Sequence, residues 1–175
     1  MTVHPLRKIL IDTNQNHAQK VVLKLAGTVC NIDCTYCGEK EKNLNFEKLN
    51  KFITPEQLVQ SVGRINKKVD LLFHGGEPLI VGINRFRALL EATRTLKNKI
   101  NFVGIQTNGT LLSTAWIELF FNEFKDLDIE ISISLDGPRS LNLLRTTYSG
   151  RSTWDAARRG FQLLEDAYQR AGLLS

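Results

Sequence analysis

Short apolar runs alternate with longer amphipathic segments along most of the chain. Four runs rich in β-branched and other apolar residues predict strands at 20–27, 69–73, 100–106 and 129–135. The stretches that follow these runs place apolar residues at helical spacing and predict helices. Strand and helix therefore alternate four times. This order is typical of an α/β protein with a parallel sheet and right-handed crossovers.

Polar residues that can cap a helix predict where the helices begin. Thr54 is followed by Pro55 and, three residues after the cap, by Gln57, so it predicts a capping box. Three further caps are predicted at Asn84, Ser113 and Ser152. The last helix carries an apolar stripe that we interpret as core packing: Trp154, Ala157, Phe161, Leu164 and Tyr168.

Composition and charge limit the classes of function. A length of 175 residues favours one domain, and 42% hydrophobic residues are enough for a packed core. The net charge of +5 is mild and spread along the chain, so nucleic-acid binding is not indicated. No apolar run has the length of a signal peptide or a membrane span, and we expect a cytoplasmic protein. Polar residues 1–19 are expected to form an N-terminal arm before the folded part, 20–175.

All three cysteines lie in one short stretch, "CNIDCTYC", as Cys30, Cys34 and Cys37. An odd number of cysteines in a chain expected to be cytoplasmic argues against disulfides and favours metal ligands. A structural zinc site needs a fourth ligand, and no histidine of the chain has zinc-finger spacing from the cysteines. Zinc and chance burial of unrelated cysteines stay open as alternatives. Three thiolates on a four-iron cluster would leave one iron open to a substrate or cofactor.

Each of the other three predicted strands ends in a polar or glycine-rich motif: "HGGEP" (74–78), "QTNGT" (106–110) and "SLDGP" (134–138). Ligands bind outside the carboxyl ends of parallel strands, so these motifs and the cysteines are expected to surround one site. Paired glycines let the backbone approach a ligand closely. Ser134 and Asp136 alternate onto one side of their strand and suit a ribose diol. Each motif taken alone is also compatible with an ordinary tight turn.

As a set, these motifs resemble the signature of radical S-adenosylmethionine (SAM) enzymes, in particular the SPASM-type peptide and protein maturases that include the anaerobic sulfatase-maturing enzymes. The resemblance covers roughly residues 20–160. It implies that the three cysteines hold a 4Fe–4S cluster whose open iron binds SAM. It also implies a set of SAM-binding residues: Tyr36, Gly75, Gly76, Glu77, Pro78, Thr107, Asn108, Ser134, Asp136 and Arg145. The chain lacks the His-Asp pair that often precedes this arginine in the family.

The resemblance also implies a fold and an activity. The family core is a partial (β/α) barrel of six βα units, of which this chain has about four, and no cysteine follows Cys37 to bind an auxiliary cluster. The implied reaction cleaves SAM to a 5'-deoxyadenosyl radical that modifies a peptide or protein side chain, with flavodoxin or ferredoxin as electron donor. Three explanations of the short barrel stay open: a fragment, a split enzyme completed by a second chain, and a non-catalytic remnant that binds SAM, a cluster or a peptide.

Overall fold

The computed structural model describes residues 18–39 and 52–173. In these ranges four parallel strands form one sheet whose spatial order follows the chain order. They are β1 (Gln19–Leu23), β2 (Val69–Phe73), β3 (Ile100–Thr107) and β4 (Ile129–Ile133). Such an order arises when each crossover advances the sheet in the same direction, as in the wall of a barrel. The predicted α/β fold with a parallel sheet is confirmed.

Helices connect the strands and follow the last one. They are α1 (Pro55–Gly63), α2 (Ile83–Thr95), α3 (Thr114–Glu118) and α4 (Trp154–Arg170). A short 3-10 helix, Pro78–Val81, precedes α2, and α3 continues as a π-helical turn over Leu119–Glu123. None of the helices in the described ranges is long and apolar enough to cross a membrane.

The predicted start of α1 is confirmed in its hydrogen bonds. The Thr54 hydroxyl accepts a bond from the Gln57 backbone N–H at 3.2 Å, and the Gln57 side chain accepts one from the Thr54 N–H at 2.9 Å. Ser113 precedes α3 as predicted but makes no side-chain capping bond.

Two predicted caps are wrong. Helix α2 starts one residue before Asn84, because Gly82 adopts φ 82° and ψ 154°, a conformation that ends the 3-10 helix and that side chains disfavour. Helix α4 begins after Thr153 instead of Ser152, although the Ser152 hydroxyl accepts a hydrogen bond from the Trp154 N–H at 3.3 Å. The Thr153 hydroxyl donates to the Arg145 carbonyl at 2.7 Å, which anchors the start of this helix.

The ends of the chain's first predicted segments also differ from expectation. Strand β1 ends at Leu23 rather than at residue 27, since residues 25–28 form a turn. Most of the predicted arm, residues 1–17, lies outside the described ranges, and Gln19 already belongs to β1.

The hydrophobic core lies between the sheet and its helices. Phe86 of α2 is at its centre and meets three rings edge-on. Its ring centroid is 5.6 Å from Phe73, 5.3 Å from Trp116 and 5.5 Å from Phe120. Edge-to-face packing of this kind adds to the free energy gained by burial, so α2 and α3 are held firmly against β2.

Helix α4 packs through a smaller face than its apolar stripe predicts. Ala157 and Leu164 are buried as predicted, whereas the prediction is wrong for Phe161, whose side chain is 38% exposed. Gly160 is the residue of α4 that lies against Gly109. A Cβ atom built on Gly160 would lie only 2.1 Å from the Gly109 carbonyl oxygen. The close approach turns the helix so that Phe161 points away from the sheet.

The substitution Gly160→Ala tests this close approach. We expect it to lower the free energy of unfolding by about 1–3 kcal/mol, because the new methyl group must displace backbone. Gly63→Ala at the end of α1 is the matched control, since nothing lies within 4 Å of its added Cβ. Urea denaturation measures the free energy of unfolding of the parent protein and of both variants. A Gly160→Ala variant as stable as the parent would contradict the close packing of α4 on Gly109, in the turn between β3 and α3.

Candidate functional site

The motifs that follow the strands meet at the carboxyl edge of the sheet. We call the residues that directly follow a strand its exit. Backbone hydrogen bonds join the exits to neighbouring strands: the His74 N–H donates to the Leu23 carbonyl at 3.1 Å, and the Ser134 N–H donates to the Thr107 carbonyl at 2.9 Å. The Glu77 N–H donates to the Val29 carbonyl of the cysteine loop at 2.8 Å. The loops are therefore held in a fixed relation by the ladder of the sheet.

The three cysteines are free thiols that line one pocket. Cys34 is buried, and Cys30 and Cys37 are half-buried. The other residues around this pocket come from the same loop, from the β2 exit and from the segment after β4: Thr28, Ile32, Asp33, Gly76 and Tyr148. The cysteine loop is thus covered by two other parts of the chain.

Burial raises the pKa of the Cys30 thiol and of the Cys34 thiol, while the positive charge of Arg145 partly opposes this at Cys34. Only the thiolate binds metal. A metal centre at this site would therefore have to displace protons, and Arg145 is placed to stabilise the resulting negative charge.

The arrangement of donors distinguishes between kinds of metal centre. Within residues 18–39 and 52–173, no three histidine, cysteine, aspartate or glutamate side chains converge as a single metal ion requires. The three thiols instead spread around their shared pocket. One thiolate for each of three irons in a cluster fits this set better than the closed four-ligand site of structural zinc.

The glycine pair after β2 packs tightly on the cysteine loop. Gly76 has φ +59°, and a Cβ built on it would lie 2.2 Å from the Val29 carbonyl oxygen. No side chain fits in that space. The second glycine therefore lets the β2 exit reach the pocket beside the cysteines.

Glu77 is fully buried and joins the exits of β2 and β3. One carboxylate oxygen accepts bonds from the Leu79 N–H at 3.0 Å and the Thr107 hydroxyl at 2.7 Å, and the other accepts from the Asn108 N–H at 2.7 Å. Burial raises the pKa of Glu77, and the hydrogen bonds from these three donors oppose part of that rise. Pro78 is also buried and begins the 3-10 helix. Both carboxylate oxygens of Glu77 are thus used within the protein.

Asn108 extends this connection to the cysteine loop. Its side-chain Nδ2 lies 2.9 Å from Asn31 Oδ1 and 3.6 Å from Cys30 Sγ. The chain separation of Asn108 and Cys30 is 78 residues. Hydrogen bonds therefore run from the β2 exit through the β3 exit to a cysteine thiol.

Tyr36, Asp136 and Arg145 form a second connection, which joins the cysteine loop to the segment after β4. The Tyr36 hydroxyl donates to Asp136 at 2.6 Å and accepts from Arg145 Nη1 at 2.9 Å, and the Arg145 and Asp136 side chains are 3.6 Å apart. Burial, followed by the bond to Asp136, raises the pKa of Tyr36. Arg145 is only 7% exposed, so it is no solvated surface arginine.

The side chain of Ser134, which follows β4, is hydrogen-bonded to a residue of the neighbouring strand β3. Its hydroxyl accepts a bond from Gln106 Nε2 at 2.8 Å. Asp136, two residues later, is bonded to Tyr36. The two residues thus have different partners, although both lie at the same strand exit.

The segment after β4 contributes two residues to the site that are missed by sequence reasoning. Tyr148 lines the cysteine pocket, and its hydroxyl donates to the Cys30 carbonyl at 3.2 Å. Asn142 is fully buried, and its Oδ1 accepts from the Asp136 N–H at 3.2 Å. Neither residue belongs to a glycine-rich or cysteine motif, and only the path of the chain after β4 brings them to the site.

The substitution Glu77→Gln tests the buried connection between strand exits. The amide would place an N–H group against the Asn108 N–H, and we expect the free energy of unfolding to fall by about 1–3 kcal/mol. Glu130→Gln in β4 is the control, because that side chain is exposed and its replacement should change nothing. Chemical denaturation of the metal-free chain measures both, and an unaffected Glu77→Gln variant would refute the structural role of the carboxylate.

Comparison with known proteins agrees with this geometry. The family model described as the Radical SAM superfamily matches residues 25–173. The serine-type anaerobic sulfatase-maturating enzyme of Klebsiella aerogenes is 32% identical over 152 residues, which cover 82% of this chain and 36% of that enzyme. The cysteine-type anaerobic sulfatase-maturating enzyme of Clostridium perfringens is 31% identical over 153 residues, covering 83% of this chain and 40% of that enzyme.

Solved structures show the same relationship. A structure of anSMEcpe with bound AdoMet superposes with a TM-score of 0.70 at 28% identity, covering 86% of this chain and 41% of the other. A structure of anSMEcpe with bound AdoMet and the Cp18Cys peptide gives a TM-score of 0.69, also at 28% identity, 86% and 41% coverage. This chain spans less than half the length of these relatives. Since the family model matches most of its residues, the chain belongs to the radical SAM superfamily.

Proposed function

We propose that this chain carries the cofactor-binding part of a radical SAM enzyme that modifies a peptide or protein side chain. The observation that supports this most strongly is the shared pocket of Cys30, Cys34 and Cys37 beside the β2 glycines. In this proposal the three thiolates hold a 4Fe–4S cluster. When bound, the cluster supplies an open iron for SAM and the electron that cleaves SAM to methionine and a 5'-deoxyadenosyl radical.

The chain's own residues divide the work of binding SAM. We assign the amino group of SAM to the turn Gly75–Pro78. Backbone groups of that turn would bind it, because both oxygens of the Glu77 carboxylate already accept hydrogen bonds from the protein. In this proposal Asp136 and Ser134 bind the ribose hydroxyls, and the exposed ring of Tyr36 contacts the adenine or the cluster. Thr107 and Asn108 border the same site.

Arg145 is proposed to bind the carboxylate of SAM. A guanidinium can donate two parallel hydrogen bonds to a carboxylate. Arg145 is nearly buried, is oriented by Tyr36 and lies near enough to Cys34 for its charge to affect that thiol. A buried and oriented cation beside the metal ligands is suited to an anionic group that must lie next to the cluster.

The substrate is proposed from the relatives. The matched enzymes are sulfatase-maturating, and two of the solved structures contain a peptide, so we propose a peptide or protein side chain as substrate. Flavodoxin or ferredoxin is proposed as electron donor from the family resemblance of the motifs alone. In the described ranges β4 pairs only with β3, so the outer edge of β4 is the place where further strands would extend the barrel, from this protein or from a second chain.

The first test is cluster retention and SAM cleavage. Cys34→Ala should lose most of its iron and sulfide after anaerobic reconstitution, because one of three thiolate ligands is gone. Thr35→Ala is the control, since that exposed side chain lies in the same loop outside the pocket lining. The dithionite-reduced parent protein should release 5'-deoxyadenosine from SAM. A cluster that binds SAM without cleaving it would favour a non-catalytic binding module, and full iron in Cys34→Ala would refute the ligand assignment.

The second test concerns the arginine. Arg145→Lys keeps the positive charge but loses the paired N–H donors of the guanidinium. We expect SAM affinity to fall roughly tenfold, because hydrogen bonds to charged groups contribute about 1.5–3 kcal/mol each. Arg139→Lys is the matched control, because Arg139 lies in the same segment, is well exposed and pairs with Asp155. Equilibrium dialysis of the reconstituted protein measures both, and equal dissociation constants would remove Arg145 from the SAM site.

A further inference from the structure

We propose that Asn108 is a positioning residue for Cys30, whose thiolate it holds through a side-chain N–H···S hydrogen bond that raises the reduction potential of the cluster. The inference rests on the proposed function, because it requires a cluster on Cys30. It assigns to Asn108 a role toward a metal ligand, beyond its expected place at the border of the SAM site.

The contact itself is direct. Asn108 Nδ2 lies 3.6 Å from Cys30 Sγ, a normal distance for a hydrogen bond to sulfur, and 2.9 Å from Asn31 Oδ1. The amide therefore directs both of its N–H groups at the cysteine loop. Cys30 thus receives a side-chain donor from the distant β3 exit, 78 residues along the chain.

The orientation of the Asn108 amide is fixed by its other bonds. Its Oδ1 accepts from the Thr110 backbone N–H at 2.9 Å and from the Thr110 hydroxyl at 2.7 Å. Rotating the amide by half a turn would set its NH₂ group against the Thr110 N–H. The Asn108 backbone N–H is also held by Glu77 at 2.7 Å, and the residue is only 6% exposed. The donor therefore remains aimed at the sulfur.

This placement has a redox consequence. Taking up one electron makes a cluster and its ligating sulfurs more negative, and the electron comes from a low-potential donor protein in the cell or from dithionite in vitro. A hydrogen bond to a ligating sulfur stabilises the added charge, and such bonds are among the determinants of iron–sulfur reduction potentials. Asn108 should therefore make the cluster easier to reduce than it would be without this donor.

The test is a redox titration of the reconstituted full chain with dithionite, monitored by EPR. Asn108→Ala should shift the midpoint potential to a more negative value, because a donor to Cys30 is lost. Asn108→Asp should shift it further, since a carboxylate oxygen then faces the thiolate. Asn101→Ala is the matched control: it makes the same substitution near the start of β3, where the Asn101 side chain donates to Asp70 and not to the cysteine loop. Its potential should match the parent.

Two results would overturn the inference. One is an unchanged potential in Asn108→Ala. The other is a loss of SAM affinity in that variant with the potential unaltered, which would make Asn108 a direct SAM contact. Should the variants not retain iron, pulsed EPR of parent protein with an isotope-labelled asparagine side-chain nitrogen decides: a coupling to the reduced cluster is expected, and its absence refutes the contact. Asn31 is not a competing source, as its Nδ2 donates to Thr110.

These outcomes separate this inference from the proposed function. If the parent protein forms a cluster that cleaves SAM and Asn108 has no effect on its potential, only the role of Asn108 fails. If the parent protein binds no cluster, the proposed function and the role of Asn108 fail together.

Discussion

The buried carboxylate of Glu77 is the interaction on which the arrangement of the site depends. Its three hydrogen bonds join the exit of β2 to the exit of β3, and the backbone N–H of the same residue bonds the cysteine loop. A carboxylate is costly to bury and becomes tolerable when donors surround it. In this position it converts three separate loops into one unit, which holds the cysteine loop beside the exits of β2 and β3.

A second set of bonds joins the cysteine loop to the segment after β4. The segment after β4 returns over the cysteine loop, where Arg145, Tyr36 and Asp136 bind one another and Tyr148 bonds the Cys30 carbonyl. These groups are polar, and two of them are charged. The cysteine loop therefore has thiols in its pocket and, where it meets the segment after β4, a cation and a carboxylate. This combination suits a zwitterionic cofactor that carries an amino acid and a nucleoside.

The architecture and the motif positions were predictable because each follows from local pattern. Alternation of strand and helix predicts a parallel sheet, and parallel strands bring their exits to one edge. The errors have local causes as well. Gly82 replaces Asn84 at the start of α2 because its backbone conformation ends the 3-10 helix, and the near contact of Gly160 with Gly109 turns Phe161 outward.

The internal bonding of the site was beyond sequence reasoning. Tyr36 and Arg145 are 109 residues apart in the chain, and no local pattern reveals that their side chains meet. The same holds for Asn108 and Cys30. Glu77 could be placed at the site from its motif, but whether its carboxylate faces a ligand or the protein depends on the register of β2 and β3.

In the proposed function, the tied strand exits hold the thiolates of Cys30, Cys34 and Cys37 around a cluster with one iron left for SAM. The decisive measurement is Mössbauer spectroscopy of iron-labelled, anaerobically reconstituted protein, with spectra recorded before and after addition of SAM. One iron site should change its parameters when SAM is added, while the thiolate-bound sites stay the same. Identical spectra in both conditions, or a protein that takes up no iron, would refute the proposed cluster.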